Sequence, residues 1–283
     1  MLDRLYEQRS CIAIYVTQND CSIPILTNAD CKLIENLLKV LAPLEMATVE
    51  LSGDKYCSLS LVIPILTQIF VDLKELKLDD IHIKVVRDKL IASIKKRFHS
   101  VEENKYYRSS TLLDPRIKDT CFTSETNRRD ATKQLLAEII EKANLIKKSL
   151  SQLEPNINTV AEEPAKKKRR TVFDFVKDQQ FEKPVNDLSI ECSVELDNYL
   201  NEPVAQSNDS DHDHVDIFIW WKDNQNRYKN LYRLVSRYLC IPATSCPSER
   251  IFSKAGEVIS ADRSRLSPQH ANELIFCSEN DFM

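Results

Sequence analysis

Residues 28–48 read NADCKLIENLLKVLAPLEMAT, and this stretch decides the fold class because its apolar residues recur at helical spacing. Asn28 or Asp30 can cap the amino terminus of the helix that this spacing predicts. Steps of three and four residues place five apolar side chains on one face, namely Ile34, Leu37, Leu38, Leu41 and Leu44. Gly53 then ends the region.

Three further stretches in the first half of the chain have helical character. Residues 59–73 are apolar but contain Pro64, so they form either a kinked helix or two shorter pieces. Residues 81–98 are amphipathic, and residues 125–153 carry an apolar stripe at helical spacing. Helix follows helix without strand-like alternation, so we predict a mainly α fold with a helical domain over residues 1–153.

The composition changes at Glu154. Residues 154–187 contain prolines, short polar tracts and a basic block, with no sustained period, which predicts a disordered linker. Residues 206–214 form a second polar gap, after which residues 216–281 return to dense helical signals. We therefore expect a second helical domain over residues 188–283.

The linker carries five consecutive cations, Lys166, Lys167, Lys168, Arg169 and Arg170. A short basic block in a disordered setting is typical of a nuclear-import signal or a nucleic-acid patch. A solvated charge run is the plain alternative. Contact with DNA through five charges would be weak and non-specific at physiological salt. We predict nuclear localisation.

Composition excludes several classes of site. The formal net charge is -4, and only two glycines occur, so the clustered glycines of a phosphate-binding loop or a dinucleotide fingerprint are absent. The nine cysteines form no C-x-x-C pair, which favours reduced thiols over a zinc module. Residues 211–214 read DHDH, and their polar setting favours a solvated loop over a metal site. We expect no cofactor, and no apolar run suffices for a membrane span.

The most informative run lies near the carboxyl terminus, where residues 219–228 read IWWKDNQNRY. Trp220 and Trp221, the two tryptophans of the chain, are adjacent and cover two adjoining faces of a helix. A broad apolar face follows at Leu231, Tyr232, Leu234, Val235, Tyr238 and Leu239. Such aromatic-rich faces suit either a protein core or a subunit interface. Beyond Pro242, Ser245 can cap another helix, which Gly256 can end.

Ordered blocks in this region resemble hAT-superfamily transposases. They are IWWK at 219–222, RYL at 237–239, IPATS at 241–245, PSERIFS at 247–253, AG at 255–256 and RSRLSP at 263–268 with LIF at 274–276 behind it. Upstream, LSGDKY at 51–56 and TLLDPR at 111–116 look like two further landmarks of the family. By its position before a proline, Asp114 is a turn or cap residue. The chain is similar in style to BED zinc-finger proteins domesticated from such transposases.

The resemblance implies an RNase H-like fold and metal-assisted DNA strand cleavage, with two aspartates from early strands and one late glutamate holding the ions. Glu249 matches that late glutamate, although a Glu in the first turn of a helix also has a plain capping explanation. We expect the segments that supply the aspartates, and the BED finger, to precede residue 1. The chain is therefore expected to be catalytically incomplete and not an enzyme.

The expected architecture is a helical domain of the family's insertion type, followed by the carboxyl-terminal helical remainder of an RNase H-like fold. The expected function is dimerisation of a transposase-derived nuclear protein with itself or a related hAT-type chain. The alternative is a DNA-binding hAT transposase or transcriptional regulator fragment that acts with a complete partner chain. Candidate interface residues are Trp220, Trp221, Leu231, Tyr232, Leu234, Tyr238, Phe252 and Leu274.

Overall fold

The computed structural model describes residues 1–19, 23–53, 56–153, 187–206, 215–259 and 266–280. The helices are α1 (Leu2–Glu7), α2 (Arg9–Gln18), α3 (Asn28–Leu51), a 3-10 turn (Leu59–Leu61), α4 (Val62–Glu75), α5 (Ile81–Arg97), α6 (Lys105–Leu113), α7 (Glu125–Leu153), α8 (Asp187–Asn201), α9 (Ile217–Asn224), α10 (Lys229–Leu239), α11 (Cys246–Val258) and α12 (Pro268–Glu279). The prediction of a mainly α fold is confirmed. No strand occurs within the described ranges, so the RNase H-like component stays a prediction.

The amino terminus of α3 is fixed by a reciprocal cap. The Oγ1 of Thr27 accepts a hydrogen bond from the backbone N–H of Asp30 at 3.2 Å, and the Asp30 carboxylate accepts one from the Thr27 N–H at 2.9 Å. The cap is therefore Thr27 and not Asn28 or Asp30, because two orphan N–H groups are satisfied together only when the helix begins after Thr27.

Pro64 divides its apolar run into two pieces. The 3-10 turn ends at Leu61 and α4 begins at Val62, which places Pro64 in the first turn of α4, where its missing N–H leaves no hydrogen bond unmade. With α3 and α5, this helix builds the first of two hydrophobic cores, whose buried residues include Val40, Leu66, Ile69, Leu73, Ile83 and Ile94.

The second hydrophobic core draws on both sides of the undescribed residues 154–186. Its buried residues include Leu112 and Leu113 of α6, Leu135 and Ile139 of α7, Leu196 of α8, Trp221 of α9 and Leu234 of α10. The division into domains at 1–153, 154–187 and 188–283 stays a prediction, and most of the linker lies outside the described residues. Helices α8 to α10 nevertheless share one core with α6 and α7.

The last two helices form a pair that contacts the rest of the chain sparingly. Helices α11 and α12 contact each other, yet α11 has no buried residue and only Ala271 is buried among the described side chains of α12. Gly256 does not end α11, which continues to Val258, because Gly256 does not adopt the left-handed conformation of a helix-terminating glycine. None of the helices in the described ranges is long and apolar enough to cross a membrane.

Candidate functional site

The tryptophan motif sits at the start of the carboxyl-terminal region, on the short helix α9. The carboxylate of Asp216 accepts hydrogen bonds from the backbone N–H groups of Phe218 at 2.8 Å and Ile219 at 3.2 Å. This cap fixes where α9 begins and hence which direction each tryptophan faces. Trp221 has no exposed surface, whereas Trp220 is partly buried.

The polar atoms of the buried aromatic rings complete the end of α6. The indole N–H of Trp221 donates to the carbonyl of Leu113 at 2.9 Å, and the hydroxyl of Tyr199 donates to the carbonyl of Leu112 at 3.1 Å. The last four carbonyls of a helix have no partner within it, so these two bonds satisfy acceptors that would otherwise be buried unpaired. Burial raises the pKa of Tyr199 well above its ordinary value.

Four aromatic rings form one cluster around these bonds. The ring centroids of Trp220 and Trp221 lie 5.1 Å apart in an edge-to-face arrangement, and those of Tyr199 and Trp221 lie 5.3 Å apart. Tyr228 joins the cluster, with its ring 5.5 Å from that of Tyr199. Its pKa is also raised, first by burial and then by the hydrogen bond it donates to Glu202. The cluster is the interior of this chain, with Trp220 at its edge.

Helix α10 turns most of its apolar face into the same core. Leu231, Leu234 and Tyr238 are all buried, and the Tyr238 hydroxyl donates a hydrogen bond to the carboxylate of Glu138 on α7. The structure buries Trp221, Leu231, Leu234 and Tyr238 against α6, α7 and α8 of their own chain. Their part in a dimer interface stays a prediction. For Tyr238, burial raises the pKa and the bond to Glu138 adds to the rise.

The other four candidate interface residues are accessible. Trp220 is partly buried, Tyr232 lies on the outer side of α10, and Leu274 lies on α12. Phe252 on α11 is 75% exposed. Their role at an interface stays a prediction.

Sequence reasoning missed other apolar side chains that accompany Phe252 and Leu274. The helix-pair surface, as we name it, consists of the exposed side chains of Ile251, Phe252, Ile259, Leu274 and Phe276. Soluble monomers expose large apolar patches rarely, and such patches commonly mark interaction sites. The signal that could have found this surface was the short amphipathic pattern of α11.

Glu249 lies exposed in the amino-terminal part of α11. Its Oε1 accepts a hydrogen bond from the Ser245 hydroxyl at 2.5 Å, and its backbone carbonyl accepts one from the Ser253 hydroxyl at 3.0 Å. The carboxylate thus lies near the positive end of the helix dipole. Across the residues that the structure describes, no three His, Cys, Asp or Glu side chains lie close enough to hold a metal ion.

Asp114, in the upstream landmark TLLDPR, is fully buried and ends α6. Its carboxylate accepts hydrogen bonds from the Arg116 guanidinium at 3.0 and 2.8 Å, from the Arg116 backbone N–H at 3.0 Å and from the Ser60 hydroxyl at 2.7 Å. Four donors compensate the buried charge. The prediction of a turn or cap residue is confirmed, and the landmark joins α6 to the 3-10 turn.

Two charged side chains that the sequence did not single out attach α8 to its neighbours. The buried Lys118 donates from Nζ to the carbonyls of Tyr199 at 2.6 Å and Glu202 at 2.7 Å, at the carboxyl end of α8, and burial lowers its pKa. The carboxylate of Glu195 accepts from the backbone N–H groups of Asn230 at 2.8 Å and Leu231 at 2.9 Å, which caps α10. Neither residue belongs to a recognisable motif, since both partners lie far away in sequence.

The basic block at 166–170 and the DHDH run at 211–214 lie outside the described residues. Nuclear import through the former and solvation of the latter stay predictions.

Comparison with known proteins agrees with the resemblance that the ordered sequence blocks indicate. Residues 195–281 match the hAT family C-terminal dimerisation region. The human zinc finger BED domain-containing protein 4 is 26% identical over 283 residues, covering 99% of this chain and 23% of the relative. The putative AC transposase of Zea mays is 24% identical over 265 residues, covering 86% of this chain and 30% of the relative. Zinc finger protein 618 of Mus musculus is 24% identical over 252 residues, covering 88% of this chain and 23% of the relative.

The chain thus spans less than a third of the length of these curated relatives. The resemblance to hAT transposases and their BED-finger relatives is confirmed.

Proposed function

We propose, on the premise that residues 195–281 contain an hAT dimerisation region, that this chain associates with a second copy of itself or a related hAT-type chain through the helix-pair surface. The observation that carries the proposal is the exposure of Phe252, which is 75% accessible on a helix with no buried residue. An amphipathic helix whose apolar side chains are left exposed in one chain is suited to burying them against another.

A few large apolar side chains should supply most of the free energy of association. Full burial of a Phe, Leu or Ile side chain stabilises an association by about 1.5–3 kcal/mol before entropic costs. In a symmetric dimer each interface residue is buried twice, once in each copy, because both copies contribute the same surface. Phe252 is the most exposed side chain of the helix-pair surface and carries a large aromatic ring, so we assign it the role of a hot spot.

Light scattering after size-exclusion chromatography tests this proposal. The unmodified chain should elute as a dimer at micromolar concentration, and Phe252→Ser should lower the dimer affinity about thirtyfold, the equivalent of ~2 kcal/mol. Val49→Ser is the matched control, because Val49 is a similarly exposed apolar residue on α3. A monomeric unmodified chain, or equal losses for both variants, would overturn the proposal.

We also propose that these 283 residues do not cleave DNA on their own and that the protein acts in the nucleus. The support for the first point is that the Glu249 carboxylate is engaged by a hydrogen bond from the Ser245 hydroxyl at the start of α11. Incubation of duplex DNA with the chain and Mg²⁺ or Mn²⁺ tests it. Metal-dependent cleavage that Glu249→Gln abolishes would contradict the proposal.

A second candidate function is a DNA-binding transposase or regulator fragment that acts with a complete partner chain. The similarity to the putative AC transposase over 86% of this chain favours it. An electrophoretic shift at physiological salt, with and without a full-length relative, distinguishes the two functions. Binding that appears only with the relative would support this candidate.

A further inference from the structure

A cleft in the first hydrophobic core lies far along the chain from the helix-pair surface. It has a volume of about 390 Å³ and runs along α4, with the end of α5 and the segment before α7 as its other walls. Leu66, Phe70 and Val71 of α4 and Phe98 beyond α5 supply apolar lining. This volume and this lining are typical of clefts that hold small molecules.

Charged groups divide the cleft into two different ends. Lys74 lies one turn beyond Phe70 on α4, and the Nζ of Lys95 lies 6.0 Å from the centre of the Phe70 ring. Lys95 therefore lies beside the aromatic ring, and Lys74 lines the cleft from the same face of α4 as Phe70. Both lysine side chains are exposed and have no ion-pair partner among the described salt bridges.

The buried acid of the cleft lies at the opposite end and is already engaged. The carboxylate of Glu102 accepts hydrogen bonds from the backbone N–H of Thr123 at 3.0 Å, from its hydroxyl at 2.9 Å and from the Asn127 side chain at 2.5 Å. Thr67 reaches the same end, since its hydroxyl bonds to the carbonyl of Cys121. From Thr67 to Lys74, α4 rises by about 10 Å, so these two residues lie at different levels of the cleft.

We propose that this cleft binds a small amphipathic anion, with an aromatic body against Phe70 and an acidic group between Lys74 and Lys95. The flat apolar body would lie along Leu66 and Phe98, where it displaces water from exposed apolar surface. The acidic group would meet two ammonium donors, while Glu102 is held away from it by its own hydrogen bonds. The site does not depend on the dimerisation proposal, since no residue of the helix-pair surface lines the cleft.

Two fluorescent probes of nearly equal shape test the site in the full chain. The anionic probe is 8-anilinonaphthalene-1-sulfonate, and the neutral probe is N-phenyl-1-naphthylamine. We expect saturable binding of the sulfonate, and the double variant Lys74→Gln with Lys95→Gln should weaken it about tenfold, as expected when two accessible charge contacts are lost. Affinity for the neutral probe should change by less than about twofold, since its contacts are apolar.

Two further variants keep the test decisive. Lys89→Gln with Lys96→Gln removes two exposed lysines of α5 that do not line the cleft, and this control should leave the sulfonate affinity unchanged. Val71→Trp fills the cleft from a partly exposed wall and should weaken both probes. Equal losses for the two lysine pairs, or sulfonate binding that survives Val71→Trp, would overturn the proposal.

Discussion

Trp221 donates its indole N–H to the backbone carbonyl of Leu113 at 2.9 Å, across 108 residues of sequence. The bond joins α9 to the last residue of α6, so the region that matches the dimerisation family and the first half of the chain share one core. This relationship makes the stability of the two parts interdependent.

Replacement of Trp221 should destabilise the fold. We expect Trp221→Ala to cost about 3–5 kcal/mol, because it leaves a cavity in a close-packed core and an unpaired carbonyl at Leu113. Chemical denaturation measures this loss, and it should be the same at two protein concentrations at which the oligomeric state is unchanged. Tyr232→Ala on the exposed side of α10 is the control and should cost less than about 1 kcal/mol. Equal costs would show that the core assignment of Trp221 is wrong.

The carboxyl-terminal region should not fold alone. Residues 188–283 lack α6 and α7, which supply Leu112, Leu113, Leu135 and Ile139 to the shared core. Without them, the apolar faces of α8 to α10 stay in water, and burial is the main favourable contribution to folding. Circular dichroism of this fragment should show a broad, non-cooperative thermal transition. A sharp transition like that of the whole chain would contradict the shared core.

Glu195 should stabilise the fold, because its carboxylate caps the amino terminus of α10. Glu195→Ala removes the acceptor for the N–H groups of Asn230 and Leu231, which are buried, so we expect a loss of about 1–3 kcal/mol in the free energy of unfolding. Glu191→Ala is a matched control, because Glu191 is an exposed carboxylate one turn earlier on α8. If both variants lose the same free energy, the cap contributes nothing.

Stability should fall steeply at alkaline pH. The pKa values of Tyr199, Tyr228 and Tyr238 are raised in the fold above their ordinary value of 10.0, so these side chains stay protonated while the unfolded chain releases their protons. Their stabilising contribution is complete below pH 10.0 and is lost above it, at up to about 1.4 kcal/mol per pH unit for each tyrosine.

Lys118 has the opposite effect on the pH dependence of stability, in a neighbouring pH range. Its pKa is lowered from 10.5, so the unfolded chain holds the proton more tightly and stability gains slightly as the pH rises toward that value. Denaturation curves between pH 9 and 12 measure the sum, and the tyrosine loss should dominate. A flat profile above pH 10 would show that these three hydroxyls are not held protonated by the fold.

The basic block should direct nuclear import. Deletion of residues 166–170 from a fluorescent fusion should move it from nucleus to cytoplasm, because the sequence contains no other run of five cations. Replacement of the five residues by glutamine controls for chain length and should give the same shift. Unchanged nuclear accumulation in both would place the signal elsewhere or show that a partner carries the chain.

Helix positions followed well from local sequence. The structure gives α7 the bounds Glu125–Leu153, which are those predicted, and α5 ends at Arg97, one residue before the predicted end. Shorter or more polar helices were not foreseen, among them α1, α2 and α6. A helix of six to ten residues offers too few turns for its periodicity to stand out.

The direction of each apolar face did not follow from the sequence. Both tryptophans and the face of α10 were compatible with a core or an interface, since either environment favours the same residue types. The structure placed Trp221, Leu231, Leu234 and Tyr238 inside because α6, α7 and α8 supply the facing surface. It left Phe252 exposed on α11, a helix with no buried residue.

The sequence by itself determined the helical class and the ordered motifs that resemble hAT transposases. These depend on residues within about four positions of one another, or on residue identities alone. Only the tertiary structure decided which apolar faces are buried, and it alone revealed that Lys118 and Glu195 serve α8 and α10. Those outcomes depend on contacts such as the one between Lys118 and Tyr199, whose residues lie 81 positions apart and meet only when the chain has folded.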